Sequence, residues 1–262
     1  MTNANPLQGT LYKKLQHWNS RASLNRTSGT DDFLLQYLEE KLILEQLKVG
    51  QTVLDVGCGD GQLTSKAQAR TGAVAVGIDF SPEMIRLAEE NCTSKQVNFI
   101  VGNMLEVNTL ISQKFDVIIT KRSLINLDNF NDQLRAFLAI YDLLSPGGYM
   151  YCIENTSEGL SRLNLIRESL DLPKMEIPWH NRYFMESEIA ELSASSGAIE
   201  HPPIEFASTY YLVSRVIYAK IAKDNGEELK YDSDLNLLSL QLPSIGDLGA
   251  TRMFIFQKPH ES

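Results

Sequence analysis

Residues 53–64 read Val53-Leu54-Asp55-Val56-Gly57-Cys58-Gly59-Asp60-Gly61-Gln62-Leu63-Thr64: a short apolar strand carrying an acid, a turn with glycine at every second position, and the opening of a helix. Glycine at alternate positions lets the chain turn tightly and bring its backbone against a ligand, while the N–H groups at the helix start stay unpaired. A dinucleotide-binding turn requires G-x-G-x-x-G, and the sixth position counted from Gly57 is Gln62, which disfavours a pyrophosphate. No G-K-S/T follows, and this excludes a P-loop. Asp55, two residues before the first glycine, sits badly beside phosphate and suits a ligand with an ammonium group.

The stretch resembles motif I of the class I S-adenosylmethionine-dependent methyltransferases, (D/E)-x-G-x-G-x-G, and Asp55, Gly57, Gly59 and Gly61 match its four fixed positions. Companion signals follow in the family's order. Ala73-Val74-Ala75-Val76-Gly77-Ile78-Asp79 is an apolar run ended by an acid, the pattern of a parallel strand buried on both faces. Asp79 lies 22 residues past Gly57, where nucleotide-binding α/β folds use a carboxylate to accept both ribose hydroxyls. Ser81-Pro82-Glu83 is a helix start, with a serine cap, proline at the first position and an acid in the first turn.

A third strand at Val97–Val101 leads into Gly102-Asn103-Met104. The family commonly has aspartate where Asn103 stands, accepting from the adenine amino group, and asparagine keeps one carbonyl acceptor. Phe115–Ile119 is the fourth strand. Leu144-Ser145-Pro146-Gly147-Gly148 matches the family's L-x-P-G-G break before a fifth strand at Tyr149–Ile153. The resemblance covers residues 50–155 and implies S-adenosylmethionine as cofactor. It implies contacts from Asp55, Gly57, Cys58, Gly59, Gly61 and Asp79, from Phe80 and Met84 flanking the adenine, and from Asn103, Met104 and Lys121.

Composition narrows the partners. The 262 residues carry 24 lysines and arginines against 33 acids, a net charge of −9, and this argues against a nucleic-acid acceptor. The cysteines Cys58, Cys92 and Cys152 are dispersed and form no C-x-x-C pair, so neither a disulfide framework nor a zinc site is expected, and no metal. The opening Met1-Thr2-Asn3-Ala4-Asn5-Pro6 lacks an apolar core, and no apolar run reaches the about 20 residues that span a bilayer. The expectation is a cytoplasmic protein without a membrane partner.

The acceptor side is read from the segments outside the minimal fold. Residues 1–48 hold two helical patterns, the first a lid over the cofactor with Tyr12, Trp18 and Arg21 as mouth candidates. Thr120–Asn126 occupies the place where methyl donor and acceptor meet in the family. It lacks the N/D-P-P-Y/F/W signature of nucleobase amino-methylating enzymes, and Arg122 and Asn126 offer hydrogen-bond donors there. A first insertion, at about 157–185, ends in Pro178-Trp179-His180-Asn181-Arg182-Tyr183, in which His180 is a candidate base and Tyr183 a candidate substrate contact. A second, at about 209–249, carries Tyr210, Tyr211 and Arg215, and its leucines make a homodimer interface the alternative use.

The expected architecture over residues 49–262 is a Rossmann-like α/β sheet of seven strands, order 3-2-1-4-5-7-6 as the family implies. Helices cover both faces, the last strand is antiparallel, strand six lies near Ile204–Phe206, and the two insertions build a helical cap. The expected function is methyl transfer to an oxygen or nitrogen of a small molecule, a sugar or nucleotide-sugar among the options. His180 and Arg122 are the catalytic candidates, and Asn126, Tyr183 and Arg215 the substrate candidates. The alternatives are a protein or RNA acceptor, or a protein that binds the cofactor without turnover.

Overall fold

The computed structural model describes residues 6–23 and 30–260, so the polar opening residues and most of the stretch between the first two helices lie outside it. Helices α1 (Pro6–Ser23) and α2 (Phe33–Gln46) precede the sheet. Strands and helices then alternate as β1 (Val53–Val56), α3 (Gln62–Thr71), β2 (Ala75–Asp79), α4 (Pro82–Asn91), β3 (Val97–Val101), the short α5 (Val107–Leu110), β4 (Phe115–Lys121), α6 (Phe130–Asp142) and β5 (Leu144–Asn155). Next come α7 (Ser157–Ser169), α8 (Glu186–Ser196) and β6 (Ile199–Ile204), and then α9 (Ser208–Tyr211), which runs through a π-helical segment, Leu212–Ile217, into α10 (Tyr218–Asn225). Helix α11 (Asp234–Ser239) and β7 (Thr251–Gln257) close the chain.

The described residues form a seven-stranded sheet of order β3-β2-β1-β4-β5-β7-β6. Strands β1 to β5 pair in parallel, and β7 lies antiparallel between β5 and β6. All four residues of β1 are buried, as an apolar strand between two helical layers must be. Successive side chains point to opposite faces. Leu54, Val56 and Ile118 join Phe137 and Ile140 of α6 in one core layer, while Val53, Val117 and Ile119 meet Leu63 and Ala67 of α3, Ile43 of α2 and Leu47 just past its end in the other. A third cluster joins α2 to the cap through Leu34, Leu35, Leu163, Tyr210 and Val216.

Two boundaries differ from the sequence reading. Strand β5 begins at Leu144, so Pro146-Gly147-Gly148 lies inside it, with Gly147 at φ +78° where the pairing with β4 shifts register. Strand β6 begins at Ile199 rather than near Ile204. It contains Pro202 and Pro203, which lack an N–H and are tolerated because β6 is an edge strand with one neighbour. Among the described residues no helix is long and apolar enough to cross a membrane.

Candidate active site

The carboxyl ends of β1, β2 and β4 converge on a cavity whose space, counted together with its open mouth, is about 900 Å3. The glycine turn forms one wall. Gly57 stands at φ +78°, and a Cβ there would lie 2.4 Å from Cβ of Ser123, so only glycine fits between the turn and the segment after β4. Gly59 also lines the cavity and donates its N–H to Oδ2 of Asp79 at 3.0 Å. Oδ1 of Asp79 accepts the N–H of Ser81 at 2.9 Å. A carboxylate has about four lone-pair sites. Asp79 therefore keeps acceptor capacity toward the cavity it lines, and burial holds its carboxyl above the ordinary range.

Phe80 and Met84 line the same wall, Met84 at the start of α4 under the Ser81 cap, whose Oγ accepts the Met84 N–H at 3.2 Å. Asn103 and Met104 line it from the turn after β3. Asn103 uses its carbonyl oxygen to cap Leu105 N–H at 3.0 Å. One acceptor site of that oxygen is thus taken by the turn, and its second lone pair remains for a further donor.

Helix α1 covers the cavity with Leu11, Lys14 and Trp18. It is tied down at both edges: Lys14 Nζ donates to the Asn126 carbonyl at 2.6 Å and pairs with Asp128, and Asn19 accepts from Ser81 Oγ at 2.6 Å. Tyr12 is 62% exposed and Arg21 pairs with Asp31 at 3.0 Å, so of the three mouth candidates only Trp18 faces the cavity.

The opposite rim is the segment after β4. Arg122 holds φ +52°, a left-handed conformation that costs about 1–3 kcal/mol outside glycine and is kept only where neighbours enforce it. Here its N–H donates to Ile153 at 2.7 Å and its carbonyl accepts from Asn126 Nδ2 at 2.7 Å. Oδ1 of Asn126, a cavity-lining residue, is buried with no hydrogen-bond partner among the described residues. Beneath the turn, Glu154 accepts from the N–H groups of Ser123, Leu124 and Ile125 at 3.2, 3.0 and 3.3 Å. Burial pushes its carboxyl up to about 7, opposed by those N–H groups. The cap loop is fastened to the same turn through Arg182, which donates its N–H to Ile125 at 2.7 Å.

Of the residues expected at the site, Gly57, Gly59, Asp79, Phe80, Met84, Asn103, Met104, Lys121, Arg122 and Asn126 line the cavity. Six others are not among its lining residues. Asp55 points to the sheet face that α3 covers, where its Oδ2 takes the Thr64 hydroxyl at 2.7 Å and burial raises its carboxyl to about 6. Cys58 is buried under the turn, and Gly61 is where α3 packs, its missing Cβ replaced by Phe99 and Ala88. Tyr183 packs against the core with Asn155 as hydrogen-bond partner.

Arg215 is a correction. It forms a buried ion pair with Asp32 and lies 4.7 Å from the Tyr231 ring centroid, so it welds the cap to the start of α2 instead of reaching a substrate. Tyr210 donates to the same Asp32 at 2.6 Å, and Tyr211 contacts Thr251, both as packing residues. His180 stacks on His17 of α1 at 4.6 Å, with Trp18 and Trp179 edge-on. Burial and the nearby cations His17, Lys14 and Arg21 lower its imidazole to about 4. It is part of the contact between lid and cap and is not among the residues that line the cavity.

The sequence reading missed two acids of α2. Glu39 Oε2 lies 3.0 Å from Arg122 Nη2, and Glu40 Oε1 lies 3.2 Å from Lys121 Nζ. The signal was present: Glu39 falls four residues from both Leu35 and Ile43, inside an apolar stripe where an unpaired acid would be costly.

The cavity fits S-adenosylmethionine on this chain's own features: a turn that only glycine can form, Asp79 facing inward, and an unpaired amide oxygen at the rim. Sheet order and cavity define a class I S-adenosylmethionine-dependent methyltransferase. The chain belongs to the family described as Methyltransferase domain, whose sequence profile matches residues 47–193. It is similar to a ubiquinone biosynthesis O-methyltransferase of Coxiella burnetii, 30% identical over 135 residues, covering 51% of this chain and 54% of the relative. It is also similar to a demethylmenaquinone methyltransferase of Oceanobacillus iheyensis, 28% identical over 156 residues, covering 57% and 60%. The chain thus spans little more than half the length of these curated relatives.

Among solved structures, the N-methyltransferase NodS of Bradyrhizobium japonicum with bound S-adenosylhomocysteine shares the fold, with TM-score 0.57, 16% identity and coverage of 92% of this chain and 100% of that one. A chain from the complex between the Haloferax volcanii Trm112 methyltransferase activator and a methyltransferase does so with TM-score 0.66, 18% identity and coverage of 93% and 98%.

Proposed function

We propose that this chain transfers the methyl group of S-adenosylmethionine to an oxygen or nitrogen of a small molecule. The observation that carries the reading is the cavity between Asp79, the Gly57 turn and the Arg122–Asn126 rim, partly roofed by α1. The bound sulfonium supplies a methyl group already activated toward attack. The protein supplies position: Asp79 for the ribose, the turn for the amino-acid portion, and Arg122 and Asn126 for the acceptor, and a well-oriented pair gains about 7–11 kcal/mol.

A small acceptor is supported by the roof and by the cap loop that Arg182 fastens to the rim. An RNA acceptor is disfavoured because Lys14, Lys121 and Arg122 at the mouth are each paired with an acid. Leu11, Trp18 and Leu127 give the cavity apolar walls, and one of the relatives is an O-methyltransferase of ubiquinone biosynthesis. Hydroxylated aromatics therefore head the acceptor screen, followed by sugars and nucleotide-sugars.

The test is calorimetric titration with S-adenosylhomocysteine, repeated on Asp79→Ala, followed by labelled methyl transfer to the acceptor panel. Micromolar binding weakened about tenfold or more by the substitution is expected, since hydrogen bonds to a charged group contribute about 1.5–3 kcal/mol. Absence of binding by the wild type overturns the reading, and binding without turnover on any acceptor favours a cofactor-binding protein.

A further inference from the structure

Lys121 and Arg122 follow Thr120, which β-pairing sets directly beside Val56, so both cations flank the Gly57 turn and line the cavity. A methyl donor with a positive sulfur would meet two like charges there. Each is instead answered from behind by one of two consecutive residues of α2: Arg122 by Glu39 at 3.0 Å and Lys121 by Glu40 at 3.2 Å. The acids are buried, at 0% and 6% exposure. Interaction between charges weakens as 1/(εr), and buried pairs escape most of the salt screening that exposed ones suffer.

We infer that Glu39 and Glu40 set the preference of this cavity for the sulfonium donor over its neutral thioether product, by cancelling the charges of Arg122 and Lys121 on the cavity wall. The inference rests on the proposed function. Donor and product differ by one methyl group and one positive charge at sulfur, and every other contact is shared. The ratio of their dissociation constants therefore reads the electrostatic potential at that point, and little else. Glu40 also takes Lys66 Nζ at 2.6 Å and Gln36 Nε2 at 2.9 Å, which fixes the carboxylate between the outer surface and the cavity. Burial of two acids that merely fastened α2 to the sheet would affect both ligands alike.

The experiment is calorimetric titration of the purified chain with S-adenosylmethionine and S-adenosylhomocysteine, on wild type, Glu39→Gln, Glu40→Gln, Lys121→Met and the double variant Glu40→Gln/Lys121→Met. Each glutamine variant is expected to weaken the donor about tenfold or more relative to the product, the scale of one uncompensated charge at an effective dielectric near 20. Lys121→Met shifts the ratio the other way, and the double variant returns it to within about threefold of wild type.

Equal weakening of both ligands in the glutamine variants, or a ratio that Lys121→Met leaves unchanged, overturns the inference. If a glutamine variant loses its circular dichroism signal, Lys121→Met carries the test by itself. A wild type that binds the product with an unchanged ratio in the variants rejects only this inference. A wild type that binds neither ligand rejects the methyltransferase reading as well.

Discussion

Glu154 holds Leu124: the carboxylate at the end of β5 accepts the Leu124 N–H at 3.0 Å, and with the neighbouring Ser123 and Ile125 it gathers three successive amides of the turn that carries Arg122 and Asn126. The same turn presses Ser123 against Gly57. Burial raises the Glu154 carboxyl from 4.5 to about 7, so the folded state binds this proton more tightly than the unfolded chain. The stability linked to it is fully present below the unfolded value and is lost as pH rises through about 7. The unfolding free energy of wild type relative to Glu154→Gln should accordingly be highest below about pH 4.5. It should fall by on the order of 3 kcal/mol by pH 8.5, as measured by urea unfolding. A difference independent of pH would contradict the raised value.

Gly57 and Gly61 belong to one motif but answer to different neighbours. Alanine at Gly57 meets Cβ of Ser123 at 2.4 Å, between the turn and the rim of the cavity, whereas at Gly61 it meets Phe99 at 2.6 Å and Ala88 at 2.7 Å in the core. Gly57→Ala is expected to weaken S-adenosylhomocysteine binding by about tenfold or more. Gly61→Ala should cost about 1–3 kcal/mol of stability, with a smaller effect on affinity. Calorimetry and thermal unfolding of the two variants, side by side, check the division.

Arg215 and Asp32 form a buried pair, and removing one partner leaves the other charged without compensation. Arg215→Ala should destabilise by about 3–5 kcal/mol in urea unfolding. Affinity for S-adenosylhomocysteine should hold within about threefold under folding conditions, because the pair lies outside the cavity lining. A selective loss of acceptor turnover in a stably folded variant would restore Arg215 to the substrate site.

Both tryptophans of the chain sit in the contact between lid and cap, Trp18 on α1 and Trp179 beside His180, so intrinsic fluorescence reports that contact. Burial, then the charges of His17, Lys14 and Arg21, lower His180 from 6.5 to about 4, and burial and Arg21 also lower His17. The undocked imidazoles bind protons more tightly, so docking is strongest above pH 6.5 and is lost as pH falls toward 4. Tryptophan emission should change across that interval and the change should be reduced in His180→Phe, which keeps a ring but does not titrate. An identical transition in the variant would place the pH response elsewhere.

The cofactor half of the site was legible because it is built from backbone. Gly57, Gly59 and Asp79 work through tight turns and strand ends, and the residues that form these lie close in sequence to the atoms they position. The strands themselves followed from local signals, apolar runs, caps and the L-x-P-G-G break, whereas their order in the sheet was what the family resemblance implied and the structure shows. Strand β6 begins earlier than the sequence reading placed it, since Pro202 and Pro203 are accommodated by an edge position that only its pairing with β7 reveals.

The acceptor side was legible only in part. Composition marked Trp179–Tyr183, with His180 and Tyr183, as a polar-aromatic cluster and Arg215 as a separate candidate in the second insertion, and composition does not say where a long side chain ends. Arg215 found Asp32, His180 found His17, and the pairs of Lys121 with Glu40 and Arg122 with Glu39 join residues about eighty positions apart in the chain. Sequence alone determined the glycine turn and the strand ends that carry Asp55 and Asp79, since each depends on short-range geometry that residue type dictates. Only the tertiary structure decided which charges are cancelled and which histidine is buried, because ion pairing and desolvation depend on distances of a few ångströms between segments that the chain order leaves far apart.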